Sequence, residues 1–329
     1  MSTEARFEDE FLKFLQCLAE ADCLKNIIIA GSWAEFLYEQ CHVINPPYYA
    51  DMKTYDTDFF VVTGERPNAN KSLHEIAKEN GFEPVHDYET GIVKYIGRDN
   101  FEVEFLSEQI GGPEETQRFP MTSIGVRGTQ LPHMWPMRMF NQPVVYNGYM
   151  VKIPTPEAYA VHKMIINPDR GEKAINDQEK VKNIFPYLDR EDMKKVCEHL
   201  SQRENKIVNS FMVRFLSISS LDYYLYPEKY PALSETIKNQ IITKIDDIIY
   251  LDQQTQKLKE QLDTQAVKEM RLHRKKAVKE IKNLLDGQKV SVDSLVAILG
   301  DMGNRANIKR VVILIKEYEK SHSREQKHE

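Results

Sequence analysis

The apolar positions of this chain change period repeatedly before Pro154 and hold a single period after it. Phe11, Phe14, Leu15 and Leu18 recur at helical spacing, which predicts an amphipathic helix over Glu8 to Ala21. Asn26-Ile27-Ile28-Ile29-Ala30 is short and β-branched and predicts a buried strand. Gly31-Ser32 interrupts it, and Trp33 to Cys41 returns to helical spacing, so the unit reads strand, tight turn, helix. After a loop holding Pro46 and Pro47, Tyr55 to Val62 predicts a second strand, and Ser72 to Asn80 a short helix stopped at Gly81. Gly91 to Gly97 and Phe101 to Ser107 predict two adjacent strands turning through Arg98-Asp99-Asn100. Gly111 to Pro136, rich in Gly, Pro, Thr and Gln, predicts an irregular excursion, and Pro143 to Ile153 a hairpin with Asn147-Gly148 as its type I′ turn.

From Thr155-Pro156, an N-cap followed by proline at the first helical position, the pattern is helical. Helices are predicted near Asp177–Phe185, Arg190–Leu200, Asn205–Tyr223, Ser234–Leu285 with a break, Val292–Leu299 and Ile308–His322, with a disordered tail from Ser323. The expected class is α+β: a mixed sheet with flanking helices in residues 1–153, then an all-helical region over 154–329.

Composition narrows the setting. Hydrophobic residues at 41% and charged residues at 29% suit a soluble globular chain with a core of normal size. No apolar run reaches the roughly 18 residues of a membrane-spanning helix. The N-terminus is acidic and amphipathic, unlike a secretory signal. A net charge of -6 argues against coating nucleic acid through bulk charge, though not against a local basic groove. Cys17, Cys23, Cys41 and Cys197 have no CxxC spacing and read as ordinary thiols in a reducing compartment, so a cytoplasmic location is expected.

Candidate chemistry gathers around Asp56-Thr57-Asp58. Strand alternation puts both carboxylates on one face, where they repel unless neutralised. A hard divalent ion such as Mg²⁺ or Mn²⁺ would do that through oxygen ligands. In Phe101-Glu102-Val103-Glu104-Phe105-Leu106 the aromatics and Val103 face the core, while Glu102 and Glu104 share the opposite face, and either could supply a third carboxylate. Gly31-Ser32 at a helix start suits phosphate: glycine permits close backbone approach, serine donates a hydrogen bond and the helix N-terminus favours negative charge.

The run IIIAGSWAEFLYEQ followed by KTYDTDFFV resembles the signature of the DNA polymerase β-like nucleotidyltransferase superfamily. More narrowly it is similar to the bacterial nucleotidyltransferases related to abortive-infection and toxin–antitoxin systems. Lys53-Thr54 matches their basic residue and Thr before the acidic pair, and Glu104-Phe105-Leu106 matches their carboxylate-aromatic-Leu strand end, which selects Glu104 over Glu102. The segment from Val151 to Val181 is similar to their proline-started helix with an HK pair followed by Arg, Lys and Asp, here His162, Lys163, Arg170, Lys173 and Asp177. The resemblance spans Ile27 to Asn183 and implies a lysine on the nucleotide's phosphates. One departure is bulky Trp33 after the serine, where the family has a small residue.

The resulting expectation is a metal-dependent nucleotidyltransferase. It would move a nucleoside monophosphate from an NTP such as ATP to an acceptor hydroxyl or phosphate. Asp56, Asp58 and Glu104 would hold metal, and Gly31, Ser32, Lys163 and Arg170 the nucleotide. The rival is a catalytically silent binding module of the same fold, such as a toxin–antitoxin component. By residue type, His162 reads as structural and Lys173/Asp177 as a surface i,i+4 pair. Met134-Trp135-Pro136-Met137-Arg138 could line a pocket or pack a loop. Lys268 to Lys282, with Arg305, Lys309 and Arg310, could follow an RNA backbone or form solvated helix faces; the expected acceptor is RNA or protein.

Overall fold

The computed structural model describes residues 3–45, 48–50, 56–62, 64–109, 121–231, 233–260, 263–300 and 302–325. Tyr55, the Lys53-Thr54 pair, the Pro46-Pro47 loop, residues 110–120 of the irregular segment and 326–329 of the tail lie outside them. Two compact units divide the chain, Met1–Glu204 and Asn205–Glu329. The division falls at Glu204 rather than at the change of pattern near Pro154. Glu204 accepts hydrogen bonds from Trp135 Nε1 (3.0 Å) and Ser201 N (2.9 Å), tying the helices after the hairpin to the first unit.

In the first unit α1 (Thr3–Glu20) precedes β1 (Ile27–Ala30), which runs directly into α2 (Gly31–Gln40). Next come β2 (Asp56–Val61), α3 (Leu73–Glu79), β3 (Glu83–His86), β4 (Val93–Ile96) and β5 (Glu102–Glu108). Then follow β6 (Thr129–Leu131), α4 (Trp135–Met139), β7 (Asn141–Tyr146) and β8 (Tyr149–Pro154). Helices α5 (Pro156–Ile166), α6 (Ala174–Ile184) and α7 (Arg190–Cys197) complete it. The main sheet has order β1-β2-β5-β4-β3, with β6 also paired to β5. It is mixed: β1/β2, β3/β4 and β4/β5 are antiparallel, β2/β5 and β5/β6 parallel.

The irregular excursion contains β6 and α4, which are too short to show a period. β3 was also not predicted. It sits at the sheet's end, where Pro84 is tolerated because an edge strand need not donate on both sides. The hairpin forms as expected, with Asn147 (φ 45°) and Gly148 (φ 84°) at its turn.

Alternation splits the sheet into two chemically different faces. Phe59 and Phe105 point to the α1 side, where Phe14 stacks on Phe59 at 5.6 Å and meets Phe82 edge-on at 4.9 Å. Phe11 stacks on Trp33 at 3.9 Å. These side chains are essentially fully buried. On the other face Phe60 and Leu106 pack with Ile28, Ala30, Met134 and Met137. Asp56, Asp58, Glu102 and Glu104 lie on that same face, upstream along the two strands. The apolar patch therefore stops where the acids begin.

The second unit is helical. Its elements are α8 (Gln202–Phe215, whose first turn belongs to the first unit), α9 (Leu221–Leu225), α10 (Glu235–Glu260), α11 (Thr264–Gly287), α12 (Leu295–Leu299) and α13 (Arg305–Glu325). Ile241, Ile245 and Ile248 of α10 meet Val278, Ile281 and Leu285 of α11 and Ile308, Val311 and Ile315 of α13 in one core. Asp263 caps α11, its side chain accepting from Ala266 N at 2.9 Å, which makes the expected break. The helix α13 continues through Glu325, so Ser323 to Glu325 are helical rather than disordered. In the basic run, Arg274 pairs with buried Asp252 (2.6 Å), as does Arg310 (2.7 Å), while Lys268, Arg271, Lys275, Lys276 and Lys279 are exposed. Among the described residues no helix is long and apolar enough to cross a membrane. Cys17, Cys23 and Cys197 are buried free thiols, and Cys41 is a half-buried one.

Helix α3 carries a full capping box, with Ser72 Oγ accepting from Glu75 N and the Glu75 carboxylate accepting from Ser72 N. Replacing Ser72 with Ala removes one half of it. The expected loss is about 1 kcal/mol of first-unit stability, read from urea denaturation followed by tryptophan fluorescence.

Candidate active site

Strand register builds the acidic half of the site. β2 lies parallel to β5 with Asp56 opposite Glu102 and Asp58 opposite Glu104, and β1 sets Ala30 opposite Asp58. Asp58 thus sits between the end of β1 and Glu104. Burial and the neighbouring Asp56 and Glu104 charges push its carboxyl up from the ordinary 3.8 to about 6, against the opposing pull of Lys163 and Arg170. Gly31 (φ 63°) lies so close that a Cβ there would fall 2.4 Å from Asp58 Oδ2. Glycine is needed for both the backbone conformation and the approach.

Glu104 is held by Lys94 of β4, whose ammonium makes a short hydrogen bond to Glu104 Oε1 and lies 3.6 Å from Glu102 Oε2. Lys94 continues the β4/β5 register beyond Tyr95, which pairs with Val103. As the side chains stand, no group of three or more His, Cys, Asp or Glu among the described residues is arranged to hold a metal ion. The donor chemistry nevertheless fits a hard divalent cation. Asp56, Asp58 and Glu104 offer oxygen ligands, and Asp58, its carboxyl pushed up by burial and by the Asp56 and Glu104 charges, would be relieved by a cation.

The basic half comes from α5 and α6. Thr155 caps α5, its hydroxyl accepting from Ala158 N at 3.3 Å with Pro156 at the first position, as the sequence predicts. Lys163 is only 8% exposed, so it is no solvated lysine; burial holds its pKa below the ordinary value, against the upward pull of Asp177. Its Nζ lies 2.6 Å from Asp177 Oδ1, and Arg170 Nε lies 2.9 Å from Asp177 Oδ2. Asp177 is therefore a buried acid clamping two cations, not the surface partner of Lys173 that its spacing suggested. Gly171 (φ 54°) and two short 3₁₀ turns over Asn167–Asp169 and Gly171–Lys173 fold the chain back to bring it there. His162 is buried; desolvation and Lys163 hold its pKa down to about 3, so it is neutral, and its Nε2 has no hydrogen-bond partner among the described residues.

Gly31, Ser32, Asp56, Asp58, Glu104, Lys163 and Arg170 all line one cavity of about 400 Å³. His162, Lys173 and Asp177 reach it too, and Leu106, Leu131, Met137 and Ile166 give it an apolar side. Met137 thus lines the pocket while Met134 packs behind it. Trp33 does not narrow the cavity, because it turns into the aromatic core against Phe11. Glu102 is not among the lining residues, and it shares Lys94 with Glu104. Lys94, Glu35 and Lys180 were not singled out from sequence. Lys180 Nζ lies 2.6 Å from Ser32 Oγ and 2.9 Å from Glu35 Oε1. Only the three-residue step from Asp177 to Lys180 on α6 hinted that the lysine shares its helix face.

Residues 9–206 match the profile of a family described as Nucleotidyltransferase. No curated protein matches the chain. Among solved structures, an antigenic nucleotidyltransferase-like protein from Paracoccidioides brasiliensis is 17% identical with a TM-score of 0.37, over 59% of this chain and 82% of that one. At that score the likeness is too loose to build on.

Two outcomes follow from the packing of Asp58. Its carboxyl binds a proton more tightly in the folded chain than unfolded, so ionising it costs stability. That cost is absent below about pH 4, grows as the pH rises and is complete above about 6. In metal-free buffer Asp58→Asn should be more stable than wild type at pH 7.5, by on the order of 2 kcal/mol, with the gain gone at pH 4. Chemical denaturation at both pH values reads this. Gly31→Ala should be less stable by at least about 1 kcal/mol, because the new methyl meets Asp58 and the left-handed conformation is strained.

Proposed function

The chain belongs to the nucleotidyltransferase family, and we propose that it moves a nucleoside monophosphate from a nucleoside triphosphate onto an acceptor hydroxyl or phosphate, with pyrophosphate leaving. The observation that carries this reading is the pairing of an acidic strand row with a clamped basic wall in one cavity. A polyphosphate needs positive charge along its length, and a divalent cation needs carboxylate oxygens; the cavity offers both.

In this reading Asp56, Asp58 and Glu104 hold Mg²⁺ or Mn²⁺, which when bound neutralises phosphate charge and polarises the phosphorus under attack. Glu104 would serve there only once freed from its bond to Lys94. Ser32 and the N-terminus of α2 hold the terminal phosphates, with Gly31 letting backbone and ligand approach closely. Lys163 and Arg170, fixed by Asp177, present positive charge that need not reorganise during the reaction. The acceptor oxygen bonds to the α-phosphorus as the bond to the bridging β-phosphate oxygen breaks. The rate enhancement comes chiefly from positioning and charge neutralisation. The apolar side around Leu106, Leu131 and Met137 is suited to a base or to an apolar part of the acceptor.

The test is incubation with Mg²⁺ or Mn²⁺ and each α-labelled NTP, alongside total RNA, protein and small acceptors. Label transfer is expected from wild type, reduced at least about a hundredfold in Asp56→Ala and Asp58→Ala. No transfer by wild type, with NTP binding intact, would favour the silent binding module; equal transfer by the variants would remove the chemistry from this cavity.

A further inference from the structure

Ser32 is bonded to a half-buried lysine and, through it, to a buried carboxylate, neither of which the nucleotidyl-transfer reading gives a task. Lys180 Nζ donates to Ser32 Oγ at 2.6 Å and pairs with Glu35 Oε1 at 2.9 Å. Glu35 is 5% exposed and also accepts from Tyr48 Oη at 3.2 Å and, through a short bond, from Tyr159 Oη. Glu35 comes from α2, Tyr159 from α5 and Lys180 from α6, so three helices converge on one carboxylate. Ser32 and Lys180 both line the cavity.

Donor counting gives these contacts a direction. A lysine ammonium has three N–H donors and no acceptor, and a serine hydroxyl has one proton and two lone pairs. Lys180 must donate to Ser32, so the Ser32 proton has to point to some other acceptor. Within the described residues, two of the ammonium's donors go to Ser32 and Glu35, which leaves the third for a further oxygen. Lys163 and Arg170 share Asp177, whereas Glu35 divides its charge among Lys180 and two phenols. A lysine serving only to staple α2 to α6 would need Glu35 but not a bond to a hydroxyl on the cavity wall.

We propose that Lys180, positioned by Glu35, senses the length of the phosphate chain: it fixes Ser32 as a donor toward the terminal phosphates and adds its own ammonium to them, favouring nucleoside triphosphate and pyrophosphate over nucleoside monophosphate. The proposal deepens the nucleotidyltransferase reading of this cavity and rests on it for the identity of the ligand.

Calorimetric titration with nucleoside triphosphate, nucleoside monophosphate and pyrophosphate, each with Mg²⁺, tests it on wild type, Lys180→Met, Lys180→Arg and Glu35→Gln. Lys180→Met is expected to weaken triphosphate and pyrophosphate at least tenfold and monophosphate less than twofold. Lys180→Arg should recover part of the loss, and Glu35→Gln should show the same selective pattern more weakly. Thermal melts identify any variant that is merely unfolded, and Lys180→Arg then carries the comparison. Equal weakening of all three ligands, or none, would overturn the proposal and leave Lys180 a staple. Pyrophosphate binding that depends on Lys180, with no NTP binding, would keep the phosphate assignment and sink nucleotidyl transfer. No binding of any of the three by wild type would sink both.

Discussion

Like-charge repulsion on one face of a sheet is the constraint around which the rest of the first unit is arranged. Parallel pairing of β2 with β5 sets Asp56 beside Glu102 and Asp58 beside Glu104. Four carboxylates at adjacent registers cannot all be ionised cheaply without cations nearby. Lys94 answers the Glu102/Glu104 end directly. The Asp56/Asp58 end is answered less completely, and burial together with the Asp56 and Glu104 charges pushes the Asp58 carboxyl up to about 6. The strands tolerate this because their opposite face, packed by Phe11, Phe14, Phe59 and Phe105, supplies a dense aromatic core. Burial of such side chains is worth several kcal/mol each, enough to offset a strained acidic row.

A second layer of charge keeps the cations available. Lys163 and Arg170 pull the Asp58 carboxyl down through their charge, but their ion pairs are with Asp177. Buried ion pairs of this kind contribute little net stability, since desolvation consumes most of the attraction. Their effect is geometric: cationic heads fixed on cavity walls lose little freedom when an anion arrives. Glu35, one turn along α2 from Ser32, does the same for Lys180. The basic wall is thus built from lysines and an arginine whose partners are themselves buried acids.

Much of the architecture was legible because the signals were local. Alternation alone places Asp56 with Asp58 and Glu102 with Glu104, and Thr155-Pro156 announces α5 without tertiary help. What escaped depends on contacts distant in sequence. Lys94 is ten residues from Glu104, and Lys180 is 148 residues from Ser32, so no spacing rule links them. Asp177 was misread because the i,i+4 rule assumes one continuous helix through Lys173, whereas the chain enters α6 through 3₁₀ turns. β6 and α4 are too short to repeat a period of about 2 or 3.6 recognisably, and Pro84 disguises β3 as a loop. The position of Trp33 after Ser32 says nothing about which way its ring turns, and the ring packs on Phe11. The family resemblance linked the Gly31-Ser32 turn, the acidic strands and the Lys163 helix, but not the side chains that hold them.

The separation of the two charge systems bears most directly on function. A site whose acids and bases paired with one another would be electrically complete and would gain little from a ligand. Here Lys163 and Arg170 pair with Asp177 and Lys180 pairs with Glu35, so one cavity keeps a negative row and a positive wall side by side. A simple anion would satisfy only the wall, and a simple cation only the row. A polyanion travelling with a divalent cation satisfies both at once, and each component lowers the electrostatic cost of binding the other. That mutual dependence distinguishes this cavity from a generic anion hole at a helix start. On the proposed reading, a metal-bound polyphosphate, more than either part alone, is the ligand this arrangement would complement.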